Sequence, residues 1–166
     1  VAENAMKFGP IHPEPDRYDF TGADAVVEAG EANGQLVRGH TLVWHQQLPA
    51  WLAGADLTRD EAIAILRDHI TTVVGRYRGR VAQWDVVNEA LPDAGAGLRD
   101  TPWLRWIGPD YLDLAFQFAH EADPDALLFY NDYDPANTGE KSDRILGLVA
   151  AMQARGVPIH GVGMQF

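Results

Sequence analysis

Five short apolar runs alternate with four segments of helical periodicity, and few folds accommodate that order. Residues 1–8 read as the tail of a strand entering a loop, and Pro10, Pro13 and Pro15 keep a helix from following at once. Ala23, Val26, Val27 and Gly30 then recur at helical spacing up to Asn33-Gly34, a helix-ending pair. Residues 35–44 form the next strand. Thr58-Arg59-Asp60-Glu61 fits a capping box, and Ile63, Leu66, Ile70, Val73 and Tyr77 mark one face of the helix it opens. A strand over 81–88 and a loop over 91–102 follow. Gly108-Pro109 opens another helix, with Pro109 at its first position and Leu112, Phe116 and Ala119 inward. Asp123-Pro124-Asp125 turns the chain into a strand at 127–131. A helix over 140–155 stops at Gly156, and 159–165 is the last strand.

Such alternation predicts an α/β fold of parallel strands covered by outer helices. An open doubly wound sheet and a closed barrel both fit. Gly95-Ala96-Gly97 follows a strand but opens no helix, so it is a weak match to a nucleotide-binding turn. At 166 residues the chain is short of the roughly 200 to 250 that eight barrel repeats require. The pattern is that of a barrel with pieces missing.

Composition bears mainly on partners. With 24 acidic and 13 basic residues the net charge is −11, which argues against nucleic acid and against an acidic membrane surface. A neutral ligand is compatible with that charge. The absence of cysteine excludes thiolate metal sites and disulfides. No apolar run has the length of a membrane span. The chain opens at Val1 without a basic-plus-apolar leader, as a segment cut from something longer would.

Trp84-Asp85-Val86-Val87-Asn88-Glu89-Ala90 is the most informative stretch. It begins as a buried strand and ends in an amide and a carboxylic acid, just where Leu91-Pro92-Asp93 starts a loop. An acid placed there needs a partner or a task, and catalytic groups of α/β barrels occupy such strand ends. Glu3 is the other acid at a strand end; Asp85 lies inside its strand as a structural group. Asn4, Asn88 and Asn131 hold comparable positions, with Lys7, Gln47, Tyr133 and Gln165 nearby. Neutral amides, one lysine and aromatics around a rim suit a polyhydroxylated neutral ligand. On strand 35–44, His40, Leu42 and Trp44 share a face by alternation, and Trp44 offers a flat platform for a sugar ring. Asn88 and Glu89 are adjacent, so both serve one site only if the strand ends or bulges there.

Other chemistries find less support. No His-x-His or helical His-x-x-x-His is present, so no metal is expected. Ser142, the single serine, lies in a helical pattern outside any nucleophile turn.

The segments Glu3-Asn4-Ala5-Met6-Lys7, Arg38 to Gln47, Trp84 to Ala90, Asn131-Asp132-Tyr133 and Gly161 to Gln165 together resemble glycoside hydrolase family 10, the endo-β-1,4-xylanases. The resemblance spans the whole chain with five motifs in order. It implies a (β/α)8 TIM barrel, here incomplete, running from the end of strand two through strand six. It also implies retaining hydrolysis of β-1,4-xylan without a cofactor. By this resemblance Glu89 is the general acid/base and Asn88 holds the 2-hydroxyl of the sugar being cleaved. Glu3, Asn4 and Lys7 grip sugars on the non-reducing side, and His40, Trp44 and Gln47 wall the cleavage point. Asn131 and Tyr133 face the leaving group, and Gln165 stands near the nucleophile.

The family's nucleophilic glutamate follows a later strand, beyond Phe166. The 166 residues alone are therefore expected to be inactive, with xylan or a xylo-oligosaccharide as ligand and the rest of the barrel as a further partner. Asp16, Gln46 and Leu48 are minor departures from the family pattern. A carbohydrate-binding protein without catalysis, and a cellulase or mannanase of a related barrel family, are the rival readings. Secretion is expected because the substrate is a polymer.

Overall fold

The computed structural model describes residues 1–133 and 139–165. Four parallel strands form one sheet: β1 (Val37–Val43), β2 (Val81–Asn88), β3 (Leu127–Tyr133) and β4 (Gly161–Gln165). Their order in the sheet is their order in the chain. A doubly wound sheet reverses direction at a switch point, whereas a barrel adds each strand beside the last. The observed order is that of a barrel wall.

Helices α1 (Phe8–Ile11) and α2 (Thr21–Ala32) precede β1, and α3 (Ala50–Ala53) and α4 (Arg59–Arg76) separate β1 from β2. Next come α5 (Pro102–Ile107) and α6 (Tyr111–Ala122) before β3, and α7 (Glu140–Ala154) before β4. The capping box of α4 is made: the Thr58 side chain accepts from the Glu61 amide, and the Glu61 carboxylate accepts from the Thr58 amide at 2.9 Å. That cap contributes about 1 kcal/mol. Leu66, Ile70 and Val73 on the same helix are fully buried, and Tyr77 caps its end.

Four expectations are corrected. Residues 1–7 make no strand: the Lys7 amide donates to Asn4 O across a turn, so the sheet has four described strands rather than five. Three prolines do not prevent α1, because Pro10 is its third residue, where a helix has no use for an amide hydrogen. Helix α5 falls where loop gave way to an unassigned stretch; Thr101 accepts from the Leu104 amide at 3.1 Å and Pro102 takes the first position. Pro109 is not the first residue of α6, since Asp110 caps it and the helix begins at Tyr111.

The two faces of the sheet differ. Trp84, Val86, Leu128 and Tyr130 are buried in the core beneath the outer helices. Gly39 is required by this packing, because a Cβ there would come within 2.2 Å of the Trp84 ring. The inner face carries Arg38, His40, Asp85, Asn131 and Gln165 and lines a groove of about 500 Å³. Asp85 and Asn88 both work on that face although three positions apart, because the β2–β3 register shifts between Asp85 and Val87. Leu42 departs from the expected His40–Trp44 face: it is fully buried, and the β1–β2 register shifts between His40 and Val43.

A stack of rings fastens α1 to α4. Phe8 lies on His69 with centroids 3.6 Å apart, and His12 stacks on Tyr18 at 4.1 Å. His69 is wholly buried, and neither ring nitrogen has a hydrogen-bond partner among the described residues. Burial, and then nearby His12, hold its imidazole well below the ordinary histidine range. The folded protein therefore keeps His69 neutral while the unfolded chain takes up a proton below about pH 6.5. With the folded value depressed, this stability is present above the unfolded pKa and lost as pH falls, at up to about 1.4 kcal/mol per pH unit. Replacing His69 by Phe should flatten the fall of denaturation midpoint between pH 7 and 5. An unchanged slope would show that His69 does not carry it.

Candidate active site

Glu89 follows the last residue of β2, and its backbone turns into the left-handed region at φ 56°. This resolves the conflict between adjacent Asn88 and Glu89: the strand ends at Asn88, and the reversed backbone brings the next side chain to the same end of the sheet. A non-glycine residue there costs on the order of 1–3 kcal/mol unless its surroundings fix it. They do: the Glu89 amide donates to Asn131 O at 2.9 Å, and Arg99 Nε donates to Glu89 O at 3.0 Å. The residue is 8% exposed, and its Oε2 accepts from the Trp44 indole at 2.8 Å.

Trp44 is itself fixed. Its carbonyl accepts from the Trp103 indole at 3.2 Å, and Lys7 Nζ lies 4.6 Å from the centre of its ring. The lysine also donates to Asn4 Oδ1 at 2.9 Å, an atom that Gln47 Nε2 reaches at 3.3 Å. Lys7, Asn4, Gln47 and Trp44 thus form one wall, and exposed Glu3 lines the groove beside it.

Behind the groove-lining Asn131 and Gln165, Asn88 Oδ1 accepts from Asn131 Nδ2 at 2.9 Å and from Gln165 Nε2 at 2.8 Å. Both lone pairs of that oxygen are used, so the amide hydrogens of Asn88 are what remain for a ligand. Asn131, matched to the leaving-group side, lines the groove and gives one of its amide hydrogens to Asn88. Tyr133 is linked to the Glu89 backbone through Arg99. Its hydroxyl accepts from Arg99 Nη2 at 2.8 Å and donates to Asp93, whose carboxyl that bond, Arg99 and Lys141 hold below the usual range.

His40 Nδ1 lies 3.0 Å from Asp85 Oδ2, and Arg38 pairs with Oδ1 of the same carboxylate while its guanidinium lies 4.6 Å over the Phe129 ring. Asp85 is thus the structural group expected, and it fixes which nitrogen of His40 carries hydrogen. Arg38 was not singled out from sequence. A charged residue inside an apolar strand, with an opposite charge inside the next, was the available signal. Arg99 was missed as well. His45, beside the site, is pushed down by burial and then by Arg99, against the pull of Glu89 and Asp132.

Every site residue named from sequence falls at this end of the sheet or on the wall above it. The arrangement presents one carboxylic acid, held by an indole, and a set of oriented amides. It suits proton transfer to an oxygen of a hydroxylated ligand.

The model of glycosyl hydrolase family 10 matches residues 1–166. Endo-1,4-beta-xylanase B of Paenibacillus barcinonensis is 50% identical over 170 residues, which cover 99% of this chain and 51% of that protein. Among solved structures, xylanase 10B from Thermotoga petrophila RKU-1 in complex with xylobiose superposes with a TM-score of 0.96. It is 48% identical, over 99% of this chain and 50% of the other. TsXylA, described as an intracellular xylanase from Thermoanaerobacterium saccharolyticum, gives 0.94 at 42% identity, over 99% of this chain and 54% of its own. The chain spans about half the length of these relatives. With all its residues matched and its fold shared with solved members, the chain belongs to glycosyl hydrolase family 10.

Proposed function

We propose that these residues form part of the (β/α)8 catalytic domain of a retaining endo-β-1,4-xylanase, from the turn that follows its second strand through its sixth strand. Glu89 is the general acid/base. The observation that carries the reading is the Glu89 carboxyl, buried at a strand end and bonded to Trp44, on a residue whose backbone amide donates to Asn131 and whose neighbour Asn88 gathers the amides of Asn131 and Gln165.

A retaining glycosidase needs two carboxyl groups about 5–5.5 Å apart, one giving a proton to the leaving oxygen and one attacking the anomeric carbon. Among the described residues, the carboxyls lining the groove are Glu3, exposed, and Asp85, engaged by Arg38 and His40. Asp85 is committed to those partners, and Glu3 matches a sugar-binding position of the family, so the nucleophile is assigned to the part of the barrel outside these residues. Glu89 first protonates the departing oxygen, then takes a proton from the water that opens the glycosyl-enzyme. Lys7, Asn4 and Gln47 bind sugar hydroxyls on one side, and Tyr133 receives the leaving sugar on the other.

The test is hydrolysis of xylan, cellulose and mannan by the complete enzyme, with the anomeric configuration of the first product read by NMR. Xylan cleavage with a β-configured product is expected. Preference for cellulose or mannan would assign a different glycosidase, and binding without turnover would leave only a carbohydrate-binding role. We place the activity outside the cell, where polymeric xylan is met; activity in the medium rather than the cell pellet is the readout.

A further inference from the structure

We infer that a chain of three side chains, half-buried Lys141 and buried Asp132 and Tyr130, positions Glu89 by holding the backbone that follows it. The inference rests on the proposed acid/base role of Glu89. Tyr130 and Asp132 occupy alternate positions on β3, both fully buried on the face away from the groove.

The Tyr130 hydroxyl accepts from two consecutive amides, Ala90 at 3.0 Å and Leu91 at 3.2 Å, and donates to Asp132 Oδ2 at 2.5 Å. Its one hydrogen and two lone pairs are all committed. Asp132 Oδ1 pairs at 2.9 Å with Lys141 Nζ, on the first turn of α7, which also lies 3.1 Å over the Tyr133 ring and 3.6 Å from Asp93. A full cation, a full anion and a hydroxyl thus run from α7 through β3 to the two residues after Glu89. Burial, and then the Asp132 charge, push the Tyr130 phenol up, so it keeps the proton it donates.

This geometry goes beyond ordinary core packing. Glu89 holds a left-handed backbone without being glycine, and such a conformation lasts only where neighbours dictate it. Asn131 and Arg99 fix the Glu89 peptide groups, and the Tyr130 hydroxyl fixes the next two amides. Without that hydroxyl two buried amides lose their acceptor and the turn relaxes, carrying the carboxyl off the glycosidic oxygen. Tyr130, Asp132 and Lys141 are therefore positioning residues. They touch no substrate.

The readout is leaving-group dependence in the complete enzyme. Formation of the glycosyl-enzyme, reported by kcat/KM, needs an acid when phenol departs from phenyl β-xylobioside. It needs none when 2,4-dinitrophenolate departs. Tyr130→Phe should lower kcat/KM on the phenyl substrate roughly tenfold to a hundredfold, with little change on the dinitrophenyl one. Lys141→Met, which leaves the core side chains in place, should show a smaller loss of the same selectivity, restored by Lys141→Arg. It decides the matter if Tyr130→Phe does not fold. Equal losses on both substrates, or none on either, would overturn the positioning role. Glu89→Ala is the reference. If it too treats both substrates alike, the acid/base reading fails and takes this inference with it; if it is selective while the others are not, only the inference falls.

Discussion

Replacing Glu89 by glutamine in the complete enzyme should lower kcat/KM on xylan by about 10²–10⁴-fold, or roughly 3–5 kcal/mol of transition-state stabilisation. The amide keeps the size of the carboxyl and an oxygen able to accept from the Trp44 indole, which Glu89 engages at 2.8 Å. Packing is thus preserved while the transferable proton is removed. The fold should be unaffected, since Glu89 forms no ion pair among the described residues. Alanine adds a second readout. The space it opens admits a small anion such as azide, which needs no general base to attack the glycosyl-enzyme. Azide should therefore speed turnover of an activated substrate by the alanine variant and yield a β-xylosyl azide. A glutamine variant within tenfold of the parent enzyme, or an alanine variant indifferent to azide, would remove Glu89 from the mechanism.

What sequence alone made legible follows from the range over which each signal acts. Helix α4 and strand β2 were readable because their information is local: a capping box, a repeat of apolar positions, a run of β-branched residues. Helix α5 was not, because six residues give too few turns for a periodicity, and Thr101-Pro102 suits a loop as well as a helix start. Residues 1–7 carry apolar side chains, yet a strand is defined by its partner, and none pairs with them among the described residues. The site divides in the same way. Each motif could be placed at the end of its element, but contacts between elements depend on register. The bond between Asn131 and Asn88 crosses 43 positions, and the Arg38–Asp85 pair crosses 47. Alternation along a regular strand placed Asn88 and Glu89 on opposite faces. No glycine announced that the backbone would turn left-handed at Glu89, the reversal that breaks the strand's alternation after Asn88.

Asn88 should matter for a different reason. Its side-chain oxygen is already occupied by Asn131 and Gln165, so the group it offers a sugar is a donor. A donor set against the 2-hydroxyl oxygen turns that hydroxyl's own hydrogen toward a second acceptor, and the bond the hydroxyl donates strengthens as positive charge grows on the ring and makes it more acidic. Hydrogen bonds of this kind supply several kcal/mol to glycoside cleavage, so Asn88→Ala should cost roughly a hundredfold or more in kcat with a smaller change in KM. The origin of the loss can be isolated with an aryl xylobioside lacking the 2-hydroxyl on the sugar at the cleavage point. The parent enzyme should handle that substrate poorly, and Asn88→Ala should handle it no worse than the parent does, because the interaction is already gone. If the variant instead loses the same factor on both substrates, Asn88 acts by supporting Asn131 and Gln165 rather than by touching the sugar. The donor role would then pass to whichever of those two amides the substitution releases.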